Sequence, residues 1–273
     1  MTNDRESRQI QPMTFDQAQF EVCCEWGENG VAQLAPTSDV IVIVDVLSFS
    51  TCVEIATNRL AKVFPYRWRD ETAADFAASM AAELAGGRCS GARYSLSPQS
   101  LLNIPQGSRL VLASPNGSTL TLRTGETPTI AGCLRNYRAV ASAAQKYGKC
   151  IGIVPAGERW SDGSLRPAFE DLIGAGAIVS ELNGSLSPEA YAAMAAFRHA
   201  RAKTELLLKQ CGSGKELIAR GFEGDVVLAS ALNVSACVPT LINGAYMHAG
   251  AQEPVRKTDL PLAVLIDSGY MTE

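Results

Sequence analysis

The sequence predicts an α/β fold, with mainly parallel sheets and flanking helices. Three observations carry that prediction. Short apolar runs recur at residues 40–44, 62–66, 109–113, 129–132 and 150–154, and stretches of helical spacing alternate with them. The first run, VIVIV, is five β-branched apolar residues without a polar break, the pattern of a strand buried on both faces. Several runs end in turn or cap residues: Asp45 with Ser48, then Ser114-Pro115-Asn116-Gly117, then Pro155-Ala156-Gly157. Open α/β sheets bind ligands at the carboxyl ends of their strands, so these endings are the places to look for a site.

In chain order, residues 1–18 are polar, mixed in charge and without an apolar signal core, and read as a disordered leader. Residues 20–26 read as a first strand and 27–30 as a turn. The strand at 40–44 passes through Asp45 into a helix opened by Ser48, Ser50 and Thr51. Cys52, Ile55, Ala56 and Leu60 give that helix its spacing to about residue 60. A short strand at 62–66 precedes an alanine-rich helix over 70–85 with an acidic first turn, which Gly86 and Gly87 stop. Residues 88–106 have little periodicity, and loops of that length inside a compact domain are commonly functional.

The strand at 109–113 ends in the turn at 114–119. The strand at 129–132 leads through Leu134-Arg135-Asn136 into a helix to about 147, and another strand follows at 150–154. A helix over 168–182 carries Glu170 and Asp171. Ser187 starts the next helix with Pro188 in its first turn, running toward 201 or 208. Glycines at 212–214 break it, and a short helix reaches 220. Residues 225–229, 236–241 and 262–266 read as strands. The chain shows no internal repeat, and residues 19–273 read as one domain. Its weakest seam is the loop at 157–167, where a division into two lobes would fall.

A chain of 273 residues suffices for one large domain or two small ones. Net charge is −4 with no dense Lys/Arg block, which argues against a nucleic-acid groove. No apolar run reaches bilayer length, so the expected location is the cytoplasm, away from membranes. The eight cysteines show no C-x-x-C and no zinc-type spacing, and read as free, mostly buried thiols.

Three places carry residues suited to chemistry. Asp45 stands at a strand end beside a helix start, where it can serve a ligand or merely cap the helix. The turn Ser114–Thr119 offers backbone N–H groups and hydroxyls to a phosphate or sulfonate, or is an ordinary Asn-Gly turn. The pair Glu170-Asp171 does not share one helical face, so one carboxylate is expected in a cleft and the other in solvent. Joined to Asp45 it makes a hard oxygen site suited to Mg²⁺. Glu223 and Asp225 form a further acidic cluster. Other chemistries are excluded: no cysteine has an arginine six residues later, the DVLSF segment lacks a second aspartate, Gly212-Ser213-Gly214-Lys215 fails the P-loop spacing, and no G-x-G-x-x-G follows a strand.

The blocks VIVDVLSFST, LVLASPNGSTL, AGCLRNYRAVA, IVPAG with FEDLIGAGAIVSEL, and GFEGDVVLA with Val238-Pro239 resemble, in order, those of the 2-phosphosulfolactate phosphatase family. These are the magnesium-dependent phosphatases of coenzyme M biosynthesis. The resemblance covers roughly residues 40–243. It implies hydrolysis of 2-phosphosulfolactate to sulfolactate and phosphate, with Mg²⁺ as cofactor and a small phosphorylated molecule as substrate. Asp45, Glu170 and Asp171 are the expected catalytic carboxylates, and Asp45, Glu170, Asp171 and Asp225 the expected metal ligands. Attack by water and a covalent phosphate on Asp45 both stay open. Ser48, Asn116, Gly117, Ser118 and Asn136 are expected at the substrate. Where the family usually has Arg after DVL this chain has Ser48, and where it usually has Asn-Ser-Pro this chain has Leu96-Ser97-Pro98. Serine cannot replace an arginine fork on an anion, so Arg88 or Arg93 is expected to bring that charge. The alternative reading is a non-catalytic or altered-specificity binding protein for a small phosphorylated or sulfonated metabolite. A homodimer is expected for an enzyme of this size.

Overall fold

The computed structural model describes residues 17–67 and 70–249. Strand β1 (Val22–Cys24) leads into α1 (Gly27–Leu34). A turn was expected at 27–30, because Gly27 and Gly30 read as breakers. The helix forms because Val31 and Leu34 bury against the sheet, and because Gly30 lies where a Cβ would stand 2.5 Å from the Glu25 carbonyl. Strand β2 (Val40–Val44) then runs into α2 (Phe49–Asn58), followed by β3 (Lys62–Tyr66). Helix α3 (Glu71–Ser79) starts on Asp70, whose carboxylate accepts the Thr72 N–H. It stops six residues short of the expected 85, since Glu83–Leu84 turns away to form edge strand β4. The loop expected at 88–106 contains one turn of helix, α4 (Pro98–Leu101).

Strand β5 (Arg109–Ala113) and short α5 (Gly117–Thr121) come next, then β6 (Thr129–Gly132), α6 (Tyr137–Ala144) and β7 (Ile151–Pro155). The segment 157–167 is a small hairpin, β8 (Glu158–Arg159) with β9 (Leu165–Arg166). Helices α7 (Phe169–Val179), α8 (Pro188–Ala200), α9 (Thr204–Gln210), α10 (Gly212–Ala219) and α11 (Glu223–Ser230) follow. The break expected at the 212–214 glycines falls at Cys211, between α9 and α10; the glycines form the first turn of α10, with the Cys211 thiol accepting the Gly214 N–H. The strand expected at 225–229 is helix α11. Its buried residues, Asp225, Val226, Ala229 and Ser230, recur at helical rather than alternate spacing. The chain closes on antiparallel β10 (Pro239–Ile242) and β11 (Ala245–His248). The leader through residue 16 and the expected strand at 262–266 lie outside the described residues.

Nine strands form one sheet in the order β1-β7-β2-β6-β10-β11-β3-β5-β4. β2 sits inside it, paired in parallel with both β6 and β7. Its side chains alternate between two cores: Val40, Val42 and Val44 pack toward α6, α7 and α8, while Ile41 and Ile43 pack toward α1. That is the two-faced burial expected of an unbroken β-branched run. β10 runs antiparallel to β6, β11 to β10, and β3 to β11. The β3–β5–β4 group therefore runs opposite to the β1–β7–β2–β6 group. The ends of β2 and β5 nevertheless meet, because the Gly117 N–H reaches Asp45 at 2.9 Å. At the β10–β11 hairpin the pairing on each side narrows to one residue pair, Thr240 with Ile130 and Tyr246 with Val63. Among the described residues no helix is long and apolar enough to cross a membrane, and all eight cysteines are free.

Candidate active site

Asp45 is the first residue past β2 and is buried. Its Oδ1 accepts the Phe49 N–H at 3.1 Å and its Oδ2 the Gly117 N–H at 2.9 Å. One carboxylate thus caps α2 and also ties down the turn before α5. Ser50 stitches the same corner: its hydroxyl accepts the Asp45 N–H and donates to the Ile43 carbonyl. The capping reading of Asp45 therefore holds, and the group that caps the helix also lines the cleft. Burial pushes its pKa up to about 6, against the pull of the two N–H bonds; Glu170 adds to the rise and Arg88 opposes it.

Three more carboxylates surround it. Asp171 accepts the Val46 N–H at 2.7 Å and the Gly157 N–H at 2.8 Å, joining α7 to the ends of β2 and β7. Burial, then Asp45 and Glu170, raise its pKa well above the ordinary value. Glu170 is buried as well and accepts the Cys211 thiol at 3.2 Å. The expectation that one of this pair would be solvated is corrected: Asp171 turns toward β2 and Glu170 toward α10, and protein covers both. Glu158, at the start of β8, lines the cleft and accepts the Asn116 side-chain N–H at 2.9 Å. Burial first, then the charge on Asp45, push its pKa up to about 7. Sequence reasoning stopped one residue short of it, at Gly157. The available signal was a carboxylate just past the end of β7, the parallel neighbour of the strand that ends in Asp45.

Arg88 arrives from the long loop before α4. Its Nη2 donates to Ser48 Oγ at 2.6 Å, so the charge absent at position 48 is carried in and set on the serine that stands there. Its Nε lies 3.6 Å from Asp225 Oδ2. Asp225, fully buried, also accepts Ser97 Oγ at 2.7 Å and the Gln99 N–H at 3.1 Å. These contacts place Asp225 as the anchor of the 88–106 loop on α11, facing a guanidinium rather than the other carboxylates.

Several expected substrate contacts are engaged elsewhere. The Gly117 N–H is taken by Asp45. The Ser118 hydroxyl donates to the Leu112 carbonyl at 2.8 Å. Asn136, fully buried, accepts the Cys133 N–H and donates to the Cys237 carbonyl, which joins the end of β6 to the segment before β10. Arg93 is exposed, with its guanidinium 5.0 Å from the Tyr94 ring centre, and does not line the cleft. Asn116 does line it, beside Glu158.

The cleft measures about 260 Å³ and brings together Asp45, Ser48, Arg88, Asn116, Glu158 and Arg220. A second cavity of about 270 Å³, walled by Trp26, Glu28 and Arg123, shares Asn116 and Glu158 with it. Among the described residues no three His, Cys, Asp or Glu side chains converge as a ready ligand set. The donor chemistry nevertheless fits Mg²⁺. That ion is commonly held by one or two carboxylates, with waters and substrate phosphate completing its octahedron. Each oxygen of Asp45 and Asp171 accepts one backbone N–H bond, which leaves it a further lone pair. The mutual repulsion of four carboxylates is charge that a cation would neutralise.

The model of the family described as 2-phosphosulpholactate phosphatase matches residues 30–244. The 2-phosphosulfolactate phosphatase of Methanothermobacter thermautotrophicus is 28% identical over 209 residues, covering 76% of this chain and 88% of that protein. Probable 2-phosphosulfolactate phosphatases of Thermotoga petrophila and Thermotoga maritima are 30% and 29% identical over 230 residues, covering 78% of this chain and 96% of each.

Proposed function

This chain belongs to the 2-phosphosulpholactate phosphatase family, and we propose that it hydrolyses 2-phosphosulfolactate to sulfolactate and inorganic phosphate with Mg²⁺ as cofactor. It is a phosphoric monoester hydrolase. The observation that carries the substrate reading is the convergence in one cleft of a guanidinium, Arg88, with the buried carboxylate Asp45 and the half-buried carboxylate Glu158. Arg88 binds the non-bridging phosphoryl oxygens, and the Ser48 hydroxyl fixes the plane of its fork. Glu158, poised near neutrality, gives a proton from its carboxyl to the leaving alkoxide oxygen as the P–O bond breaks, while the new bond to phosphorus comes from a water or from the Asp45 carboxylate, whose phosphate water then hydrolyses. Asp45, held by two backbone N–H groups, keeps one orientation toward the phosphorus. Mg²⁺ on Asp45 with Asp171 or Glu170 would neutralise charge on the phosphoryl oxygens. The enzyme acts as a cytoplasmic homodimer in this reading, which light scattering on the purified protein checks for the dimer.

The test is phosphate release from a panel of small phosphate monoesters, with Mg²⁺ and with chelator, in the wild type and in Asp45→Asn. Release from 2-phosphosulfolactate that stops with chelator and falls by roughly a hundredfold or more in the variant is expected. No release from any ester, by a folded protein, overturns the reading.

A further inference from the structure

The cleft has two cations at different depths. Arg88 is the inner one, beside Ser48 and Asp225, with its side chain 14% exposed. Arg220, at the end of α10, is the outer one, with its side chain 46% exposed. Both line the cleft, and both stand against one aromatic ring: the guanidinium carbons lie 5.8 Å and 6.0 Å from the centre of Phe222. A ring face attracts guanidinium groups, so Phe222 holds the two at a set separation although they are 132 positions apart in the chain. Among the described residues Arg220 has one charged partner, Glu216 at 3.1 Å, one helical turn earlier. Exposed pairs of that kind contribute little, so Glu216 does not keep the guanidinium from an acid group in the cleft. Asp45 and Glu158 occupy the same cleft and Glu216 lies at its rim. An anion there is held only where a guanidinium offsets those acids.

We propose that Arg220 is a specificity-determining residue, which binds a second acid group of the substrate while Arg88 holds the phosphate. The enzyme then selects phosphate monoesters that carry a carboxylate or sulfonate a few bonds from the phosphoester oxygen, and Phe222 sets the spacing it accepts. This rests on the phosphatase reading for its catalytic half alone.

The test compares 2-phosphosulfolactate, 2-phospholactate and isopropyl phosphate, which carry two, one and no additional acid groups. Wild type is measured against Arg220→Gln and Arg220→Lys. The expected result is a kcat/KM preference for the acidic esters over isopropyl phosphate that falls at least about tenfold in Arg220→Gln, through KM, and returns in part in Arg220→Lys. A loss shared equally by all three esters, or an unchanged preference, overturns the assignment. Calorimetric binding of sulfolactate to the same variants separates this from failure of the phosphatase reading. A weakening of about tenfold in Arg220→Gln supports the outer cation even if no ester is turned over, and equal affinity in wild type and Arg220→Gln overturns it.

Discussion

Glu158 is a carboxyl group held mostly out of water against other carboxylates, and its bond from Asn116 offsets only part of that burden. Its folded-state pKa, about 7, stands above its ordinary 4.5, so the folded protein binds this proton more tightly than the unfolded chain does. The stability contributed by the neutral group is present in full below 4.5. It is lost as pH rises toward 7, by up to about 3 kcal/mol above that. Asp45, raised to about 6, adds a slope of the same sign at lower pH. In chelator, the wild type is expected to be more stable at pH 5 than at pH 8 by urea denaturation. Glu158→Gln, whose amide still meets Asn116, should lose a large part of that difference. Superimposable pH profiles for the two proteins would show that Glu158 ionises freely in the folded state.

At the scale of elements, the site depends on how closely the start of α5 approaches α2. A Cβ built on Gly117 would stand 2.2 Å from the Phe49 ring and 2.8 Å from Asp45 Oδ2. Neither neighbour can yield: Phe49 is fully buried and Asp45 is held on both oxygens. Gly117→Ala is therefore expected to lower stability by about 1–3 kcal/mol, the usual penalty for overpacking. It should lower phosphate release further than the fall in folded population explains, because the added Cβ presses on Asp45 Oδ2 and displaces the carboxylate. Urea titration and turnover measured on the same preparation check both parts.

For the whole molecule, the decisive place is the β10–β11 hairpin that joins the two parallel groups. Tyr246, on β11, is fully buried there, edge-on to Phe49 at 6.1 Å, with its hydroxyl 2.8 Å from Thr121 Oγ1. It touches α2, α5 and, through Val63, β3. Tyr246→Ala is expected to cost about 3–5 kcal/mol. Since α2 packs on both groups of strands, unfolding should remain one transition in calorimetry. Two separated transitions in the variant would mean that the groups fold independently.

The sequence by itself determined what is local. An unbroken β-branched run can only be an inner strand of such a sheet, so β2 and its terminal Asp45 were legible, as were the alternation of strands and helices and the family pattern. Elements whose signal was ambiguous within one window were misread: α1 behind its two glycines, and α11 behind its β-branched residues. Tertiary structure decided everything that depends on which distant groups meet. Gly117 and Ser118 carry phosphate-binding chemistry in isolation, but the fold directs their donors to Asp45 and Leu112. Asp225, expected as a metal ligand, also anchors the 88–106 loop through one of its oxygens, a contact that no local pattern in the sequence shows. Glu158 becomes important only because β7 lies beside β2, and Arg88 and Arg220 become a pair only through Phe222. The physical reason is common to all of these. Secondary structure follows from short-range sterics and periodicity, whereas the charge, burial and hydrogen bonding that define a site are set by neighbours up to more than a hundred residues away.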